Sequence, residues 1–275
     1  MTHSPRQTPS FRELHKSGEP FVLANVWDSG SAKLFSALGA QALATTSAGH
    51  AFTLGVKDMG GVSRADSLKH AHELVGATHL PLSADLENGY GHSPIDVATT
   101  IRMAGHAGVA GCCIEDTALP NKMPYDFDFA VERISAAVDA VRALDEDFVL
   151  TARADGVMNG QYDMDEAIRR IQAFEAAGAD VLYVPLPPSM DDLARICKSV
   201  SAPVNALAAG QFAQYTIADY ANIGVARISL GSAMARVTHA TIVNSAKEIL
   251  GEGNFSSFLN GISGAEVEDL FDSIE

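Results

Sequence analysis

Two carboxylates stand two positions apart, directly after a short apolar segment. Asp85 and Glu87 follow residues 78–82, which predict a buried strand. Side chains at alternate positions of an extended chain point to the same side, so we expect the carboxylates to converge where Asn88 and Gly89 end the strand. Like charges held close together need a proton or a cation between them. Oxygen ligands without adjacent His or Cys favour Mg²⁺ or Mn²⁺, and a solvated strand end is the alternative.

Eight apolar segments recur along the chain, and each is followed by a helical pattern. They cover residues 21–27, 42–46, 78–82, 111–114, 148–152, 180–184, 203–207 and 226–230. Strands without polar alternation are buried on both faces, and helical crossovers join parallel neighbours. Eight such units predict an α/β protein with a closed (β/α)8 barrel of the TIM type. A doubly wound open sheet is the alternative, but residues 25–30 lack the glycine-rich phosphate loop that such a sheet would carry after its first strand.

The remaining segments complete a single predicted domain. Residues 10–17 indicate a short helix, Ser63 and Ser93 are typical helix N-caps, and a long helix follows Gly231 to about Leu250. Since no low-complexity linker divides the chain, we expect residues 1–250 to form the barrel with its short N-terminal helix. Residues 251–275 are acidic and predict a helical tail.

Composition limits the partners and the compartment. The chain has 275 residues and a formal net charge of −15, which argues against nucleic acid or an anionic membrane surface as partner. The first six residues are polar with no apolar signal segment after them, and no run of about 20 apolar residues occurs. Cys112, Cys113 and Cys197 lack metal-site spacing and indicate a reducing compartment. The sequence therefore predicts a cytoplasmic protein, with Cys112 and Cys113 in the core.

Chemistry in such barrels gathers at the carboxyl ends of the strands. Two neighbouring strands end in four acids: Asp85, Glu87, Glu115 and Asp116. Asp58 lies in the loop after the second strand and could reach them. Several carboxylates around one cavity need a cation, and Mg²⁺ takes few direct protein ligands. We expect Asp85 to be the direct ligand, with Asp58, Glu87 and Glu115 acting partly through water; ion pairs with Arg153 are the alternative.

Other strand ends carry candidates for substrate contacts. We expect Arg153 to bind a carboxylate or phosphonate of the substrate through paired hydrogen bonds. A salt bridge to a neighbouring acid is the alternative. Backbone N–H groups of Ser47, Ala48 and Gly49 could face an anion because glycine permits close approach, although a tight turn alone is equally consistent with them. Two further side chains at strand ends are Trp27 and Asn205.

Several of these motifs, in their order and spacing, resemble those of the isocitrate lyase/phosphoenolpyruvate mutase superfamily. The matching segments are Trp27-Asp28, Thr45-Thr-Ser-Ala-Gly49, Asp58, Asp85-Leu-Glu-Asn-Gly-Tyr-Gly91, Ile114-Glu-Asp116 and Ala152-Arg-Ala-Asp155. The resemblance covers residues 21–236. It implies a Mg²⁺-dependent barrel whose eighth helix is swapped between copies of a homodimer or homotetramer. It also implies breakage of a C–C or P–C bond beside a small anionic 2-oxo or 2-hydroxy acid, through an enolate.

The resemblance assigns roles residue by residue. It implies that Ser47, Ala48 and Gly49 hold the substrate carboxylate and that Arg153 holds the substrate. It makes Asp85 the metal ligand, surrounded by Asp58, Glu87 and Glu115.

The loop at residues 117–126 departs from the superfamily pattern. Isocitrate and methylisocitrate lyases carry a Lys-Lys/Arg-Cys-Gly-His signature there, whereas this loop has neither Cys nor His. Asn121 and Lys122 loosely resemble the Lys-Thr-Asn-Ser loop of the mutases. Residues 184–186 also replace a Glu that the lyases carry after strand six. This combination is closest to the branch that acts on small 2-oxo acids, which includes oxaloacetate decarboxylases.

These observations predict a Mg²⁺-dependent lyase acting on a small 2-oxo or 2-hydroxy acid. Two alternatives are a mutase or hydrolase acting on a P–C bond and a 2-oxo-acid-binding barrel without catalysis. Residues 117–127 form a longer connection than a βα unit requires, which predicts a lid that closes over the substrate. Glu115, Arg153 and the lid residues Asn121 and Lys122 are the predicted catalytic groups.

Overall fold

The computed structural model describes residues 9–274. Its eight parallel strands close into a barrel, in which each strand pairs with its neighbours in the sequence and the last strand pairs with the first. They are β1 Phe21–Val26, β2 Ala42–Thr45, β3 Leu82–Asp85, β4 Gly111–Glu115, β5 Val149–Arg153, β6 Val181–Tyr183, β7 Val204–Leu207 and β8 Arg227–Ser229. Closure is completed by the pairing of Phe21 with Arg227. The predicted (β/α)8 barrel is therefore confirmed. Seven of the eight apolar segments coincide with barrel strands, whereas the third strand begins at Leu82, the last residue of the predicted segment 78–82.

Helices alternate with these strands. They are α1 Ser29–Ala37, α2 Ser47–Thr53, α3 Arg64–Val75, α4 Pro94–His106, α5 Phe127–Arg142, α6 Met164–Ala177, α7 Met190–Ser199, α8 Ile217–Asn222, α9 Ala233–Lys247 and α10 Gly264–Asp272. The predicted caps are confirmed: Ser63 accepts from the Asp66 N–H, and Ser93 forms a reciprocal capping box with Asp96. Within residues 9–274, no helix is both long and apolar enough to cross a bilayer.

The amino-terminal end of the barrel is closed by a short plug. The predicted helix over residues 10–17 is wrong in length, since one 3₁₀ turn, Arg12–Leu14, is present. Phe11 and Leu14 pack into a buried cluster with Phe21 and the lower strand residues. The turn ends at His15, whose Nε2 lies 3.3 Å from Nη1 of the buried Arg227. A helix that continued along the surface would not bring this ring into the barrel. The predictions for residues 1–6 concern positions outside the described residues.

The lid segment contains regular structure that the sequence did not predict. Residues Thr117–Ala118 and Met123–Pro124 pair as a small antiparallel hairpin. The hairpin leaves β4 at Glu115 and returns to α5, so its tip projects at the carboxyl-terminal face of the barrel.

The C-terminal segments leave much apolar surface uncovered. In α9, Ala235 is the buried residue, while Val237, Ile242 and Val243 are exposed. The segment that follows exposes Phe258 as well. Beyond it, α10 packs against α1, with the Lys33 ammonium 5.7 Å from the centre of the Phe271 ring.

Candidate active site

The three small residues after β2 form the first turn of a helix. Thr46 is the N-cap of α2, and its hydroxyl accepts from the Gly49 N–H at 3.2 Å. The alternative of a tight turn alone at Ser47, Ala48 and Gly49 is thus wrong, because the Thr46 cap starts a helix despite the low helix propensity of glycine. A Cβ on Gly49 would lie 2.5 Å from Thr46 Cγ2 and 3.2 Å from Trp27 Cβ. Trp27 therefore packs beside this turn rather than lining the barrel cavity.

Asp85 ends β3 and is fixed by the last residue of β2 and the first residue of α2. Its Oδ2 accepts the Ser47 N–H at 3.0 Å, and its own N–H donates to Thr45 Oγ1 at 2.8 Å. Asp58 lies close by: burial raises the pKa of its carboxyl, and the charge of Asp85 raises it further. Asp58 Oδ1 is buried without a hydrogen-bond partner among residues 9–274. The arrangement brings two carboxylates together and leaves one oxygen unused.

Glu87 joins these acids by a route that strand geometry does not predict. β3 ends at Asp85, and Glu87 has a left-handed φ of +49°. Its carboxylate instead accepts the Gly60 N–H at 3.0 and 3.2 Å. Burial raises the pKa of Glu87 to about 7, with contributions from the charges of Asp85 and Asp58. Glu87 therefore lies near Asp85 and Asp58, but the expected strand alternation is wrong because the strand ends at Asp85, two residues earlier than predicted.

Arg153 lies between two acids at the end of β5. Its Nη2 is 3.4 Å from Glu115 Oε2, and its Nε donates to Asp155 Oδ1. Burial raises the pKa of Glu115 well above its ordinary value, and the neighbouring Asp155 adds to this. The ion-pair alternative at Arg153 is therefore present in the structure.

Asp116 does not join the other acids. Its side chain is fully buried, accepts from Tyr162 at 2.7 Å and pairs with Arg170 Nη1 at 2.9 Å. Its Oδ1 also accepts the Asp155 N–H at 2.8 Å. Asp116 thus ties the end of β5 to α6. Sequence spacing grouped it with the metal acids because its partner on α6 lies 54 residues away.

A cavity of about 60 Å³ extends from Asp85 into the barrel. Side chains that line it include Asp85, Cys113, Arg153, Tyr183, Asn205 and Arg227. Cys112 is in the core as predicted, whereas Cys113 faces the cavity. The Asn205 amide is engaged at both ends, since its Oδ1 accepts from Arg227 at 2.8 Å and its Nδ2 donates to Ser229 at 2.9 Å.

The two predicted lid residues lie apart from this cavity. Asn121 and Lys122 are exposed near the hairpin tip, and the Lys122 carbonyl accepts from Gln161. The base of the hairpin is anchored instead: the Tyr125 hydroxyl accepts from Asn88 Nδ2 at 3.1 Å and contacts His92 Nδ1 at 2.9 Å. The hairpin base is therefore bonded to the loop that carries Glu87.

The acids do not form a preassembled metal cage. In the described part of the chain, no three His, Cys, Asp or Glu side chains are grouped closely enough to hold a metal ion. The Asp58–Asp85 pair nevertheless fits a hard cation with few protein ligands, because Asp58 Oδ1 is buried and unpartnered. The donor set is oxygen alone.

The chain is similar to known proteins over most of its length. The profile of the family described as phosphoenolpyruvate phosphomutase matches residues 11–250. Oxaloacetate decarboxylase from Paraburkholderia xenovorans is 30% identical, over 82% of this chain and 76% of that protein. 2-Methylisocitrate lyase from Escherichia coli is 33% identical, over 74% and 69% respectively. The crystal structure of a Burkholderia cenocepacia protein described as a lyase/mutase superposes with a TM-score of 0.91 at 42% identity, covering 97% of this chain and 95% of that one.

Proposed function

The chain belongs to the isocitrate lyase/phosphoenolpyruvate mutase superfamily, and from this premise we propose that it is a Mg²⁺-dependent lyase. Its reaction is cleavage of a C–C bond in a small 2-oxo or 2-hydroxy carboxylic acid through an enolate. The activities of relatives support this reaction class, since one decarboxylates oxaloacetate and another is a 2-methylisocitrate lyase.

The observation that carries the proposal is the buried, unpartnered Asp58 Oδ1 beside Asp85. A desolvated carboxylate oxygen without a donor is costly, and a cation would satisfy it. Asp85 and Asp58 would hold Mg²⁺, with Glu87 contributing through water. When bound, Mg²⁺ supplies Lewis-acid stabilisation for negative charge on the 2-oxo oxygen.

The remaining site residues bind and orient the substrate. Arg153 lines the cavity and is fixed by Glu115 and Asp155, so its planar guanidinium is preorganised to meet a carboxylate. Glu115, whose pKa is raised by burial, lies beside this guanidinium and is the group we assign to proton transfer. The turn at Ser47 holds Asp85 in place and borders the substrate carboxylate.

The hairpin acts as the lid in this proposal. Its closure would bring Asn121 and Lys122 from solvent to the mouth of the barrel and exclude water from the enolate. Tyr125 is bonded to Asn88, so the hinge would lie on the tip side of Tyr125.

Exposed apolar side chains of α9 support assembly with further copies of the chain. Val237, Ile242 and Val243 are all uncovered. Burial of such side chains stabilises an interface by roughly 1.5–3 kcal/mol each. We propose a homodimer or homotetramer in which α9 packs on a neighbouring barrel. Sedimentation at micromolar concentration tests this, and a monomer would contradict it.

The function is tested by a substrate screen with Mg²⁺. Oxaloacetate, substituted malates and phosphonopyruvate are each incubated with the protein, and released pyruvate or oxo acid is detected by a coupled dehydrogenase. Asp85→Asn serves as the inactive control. Product from oxaloacetate or a malate supports C–C cleavage, whereas product from phosphonopyruvate alone assigns P–C cleavage instead. Binding of oxalate without any turnover would identify a barrel that binds 2-oxo acids without catalysis.

A further inference from the structure

Arg227, the first residue of β8, extends into the barrel interior and is 3% exposed. Its Nε donates to Asn205 Oδ1 at 2.8 Å, and its Nη2 donates to Thr151 Oγ1 at 3.0 Å. Its Nη1 lies 3.3 Å from His15 Nε2. Because His15 Nδ1 bonds the Phe11 carbonyl, Nδ1 carries the proton and Nε2 accepts. All three side-chain partners of the guanidinium are neutral.

No acid neutralises this buried cation. Across residues 9–274, no Asp or Glu forms an ion pair with Arg227, whereas Arg153 and Arg170 each pair with two acids. Burial lowers the pKa of Arg227 to about 10, so it stays charged at neutral pH. Buried charges are normally paired. A guanidinium has five N–H donors, and two of those on Arg227 have no acceptor in the described part of the chain.

The free donors belong to the cavity that reaches the candidate active site. Arg227, Asp85 and Cys113 all line this space. The charge of Arg153 is already matched by Glu115 and Asp155. Arg227 therefore supplies the uncompensated positive charge of the cavity. A volume of about 60 Å³ is that of about two water molecules, which is comparable with a carboxylate group.

We propose that Arg227 is a specificity-determining residue that binds a second carboxylate of the substrate inside the barrel. This rests on the proposed function, in which the 2-oxo or 2-hydroxy end of the substrate lies at Asp58 and Asp85. The two free N–H groups of Arg227 would form the paired hydrogen bonds that guanidinium makes with carboxylate. The site would then select dicarboxylic over monocarboxylic 2-oxo and 2-hydroxy acids.

A matched pair of ligands tests the second-carboxylate site. Malate is lactate with one additional carboxylate, so the ratio of their affinities isolates the contribution of that group. Titration calorimetry with the intact protein and Mg²⁺ is expected to show malate binding about ten- to hundredfold more tightly than lactate, as a charged hydrogen-bonded contact gives. In Arg227→Met the ratio should fall to near one while lactate affinity stays unchanged. Arg227→Lys should retain part of the preference.

Controls separate this inference from structural effects and from the proposed function. Arg12→Met removes another arginine from the same end of the barrel, outside the cavity, and should leave the ratio unchanged. A folded Arg227→Met protein that keeps the malate preference would overturn the inference. If that variant does not fold, the wild-type ratio decides, and a value near one overturns it. Oxalate binding by the wild-type protein with no malate preference rejects only the Arg227 site, whereas no binding of oxalate, malate or lactate rejects the proposed function as well.

Discussion

Asp116→Asn should destabilise the protein without removing its response to Mg²⁺. The substitution keeps the shape of the side chain but removes its charge and replaces one acceptor oxygen with a donor. Asp116 accepts from Tyr162, from the Asp155 N–H and from Arg170. An asparagine amide cannot accept at both positions, so one buried donor would face another.

The magnitude follows from burial. The Asp116 side chain is 0% exposed, and its Arg170 partner lies 2.9 Å away. Removing one member of a buried pair costs about 3–5 kcal/mol. Arg170 keeps a second ion pair with Glu166 at 2.8 Å, so it is not left unpaired. We therefore expect a loss near the lower end, about 3 kcal/mol in the free energy of unfolding.

Urea unfolding of the purified protein measures this loss at constant protein concentration. Asp147→Asn is the matched control, because Asp147 also pairs with an arginine at 2.8 Å but is 54% exposed. An exposed pair contributes about 1 kcal/mol or less. Equal losses in the two variants would refute the structural role of Asp116. Loss of Mg²⁺-dependent oxalate binding with unchanged stability would instead return Asp116 to the metal acids.

Three further predictions concern the metal, the lid and pH. Asp85→Asn should abolish Mg²⁺-dependent oxalate binding and leave urea stability equal or higher, since like-charge repulsion falls; an unchanged Mg²⁺ response would exclude this site. Oxalate with Mg²⁺ should protect residues 117–127 from proteolysis. Lys122→Ala should reduce turnover without lowering the free energy of unfolding, whereas Lys198→Ala, at another exposed lysine, should change neither turnover nor stability. Burial, with the charge of Arg227, lowers the pKa of His15 from 6.5 to about 3. Between pH 6.5 and pH 3 the unfolded chain therefore binds a proton at His15 that the folded chain does not. The free energy of unfolding should fall as the pH is lowered through this range, by up to about 1.4 kcal/mol per pH unit. Urea unfolding at a series of pH values should show a smaller slope for His15→Gln.

The barrel could be predicted because its strands are buried on both faces. A continuous apolar segment needs no partner from elsewhere to be recognised, and the caps at Ser63 and Ser93 are local signals. The loop that brings Asp58 to Asp85 was also expected, because the carboxyl ends of adjacent parallel strands meet.

The parts that were missed depend on contacts between distant residues. Nothing near Asp116 in the sequence indicates that it pairs with Arg170, which lies 54 residues away on α6. The position of Glu87 depends on a left-handed turn at a residue that rarely adopts one. Arg227 could have been identified from the sequence, because a charged residue within an apolar strand needs hydrogen-bond partners in the interior or a functional role. The same reasoning would have directed attention to the barrel interior.

The site and the uncovered surface of α9 are mechanically connected. Ala235, on the inner side of α9, contacts the turn that contains Gly49, with 3.6 Å between its Cβ and a Cβ built on that glycine. Farther along, His239 packs edge-on against Phe52 of α2 with ring centres 5.7 Å apart. The α2 helix in turn fixes Asp85 through the Ser47 N–H. In the assembly that we propose, a surface that covers the exposed apolar residues of α9 would also support α2 through Ala235 and His239. Assembly and the geometry of the acidic site would then depend on the same helix.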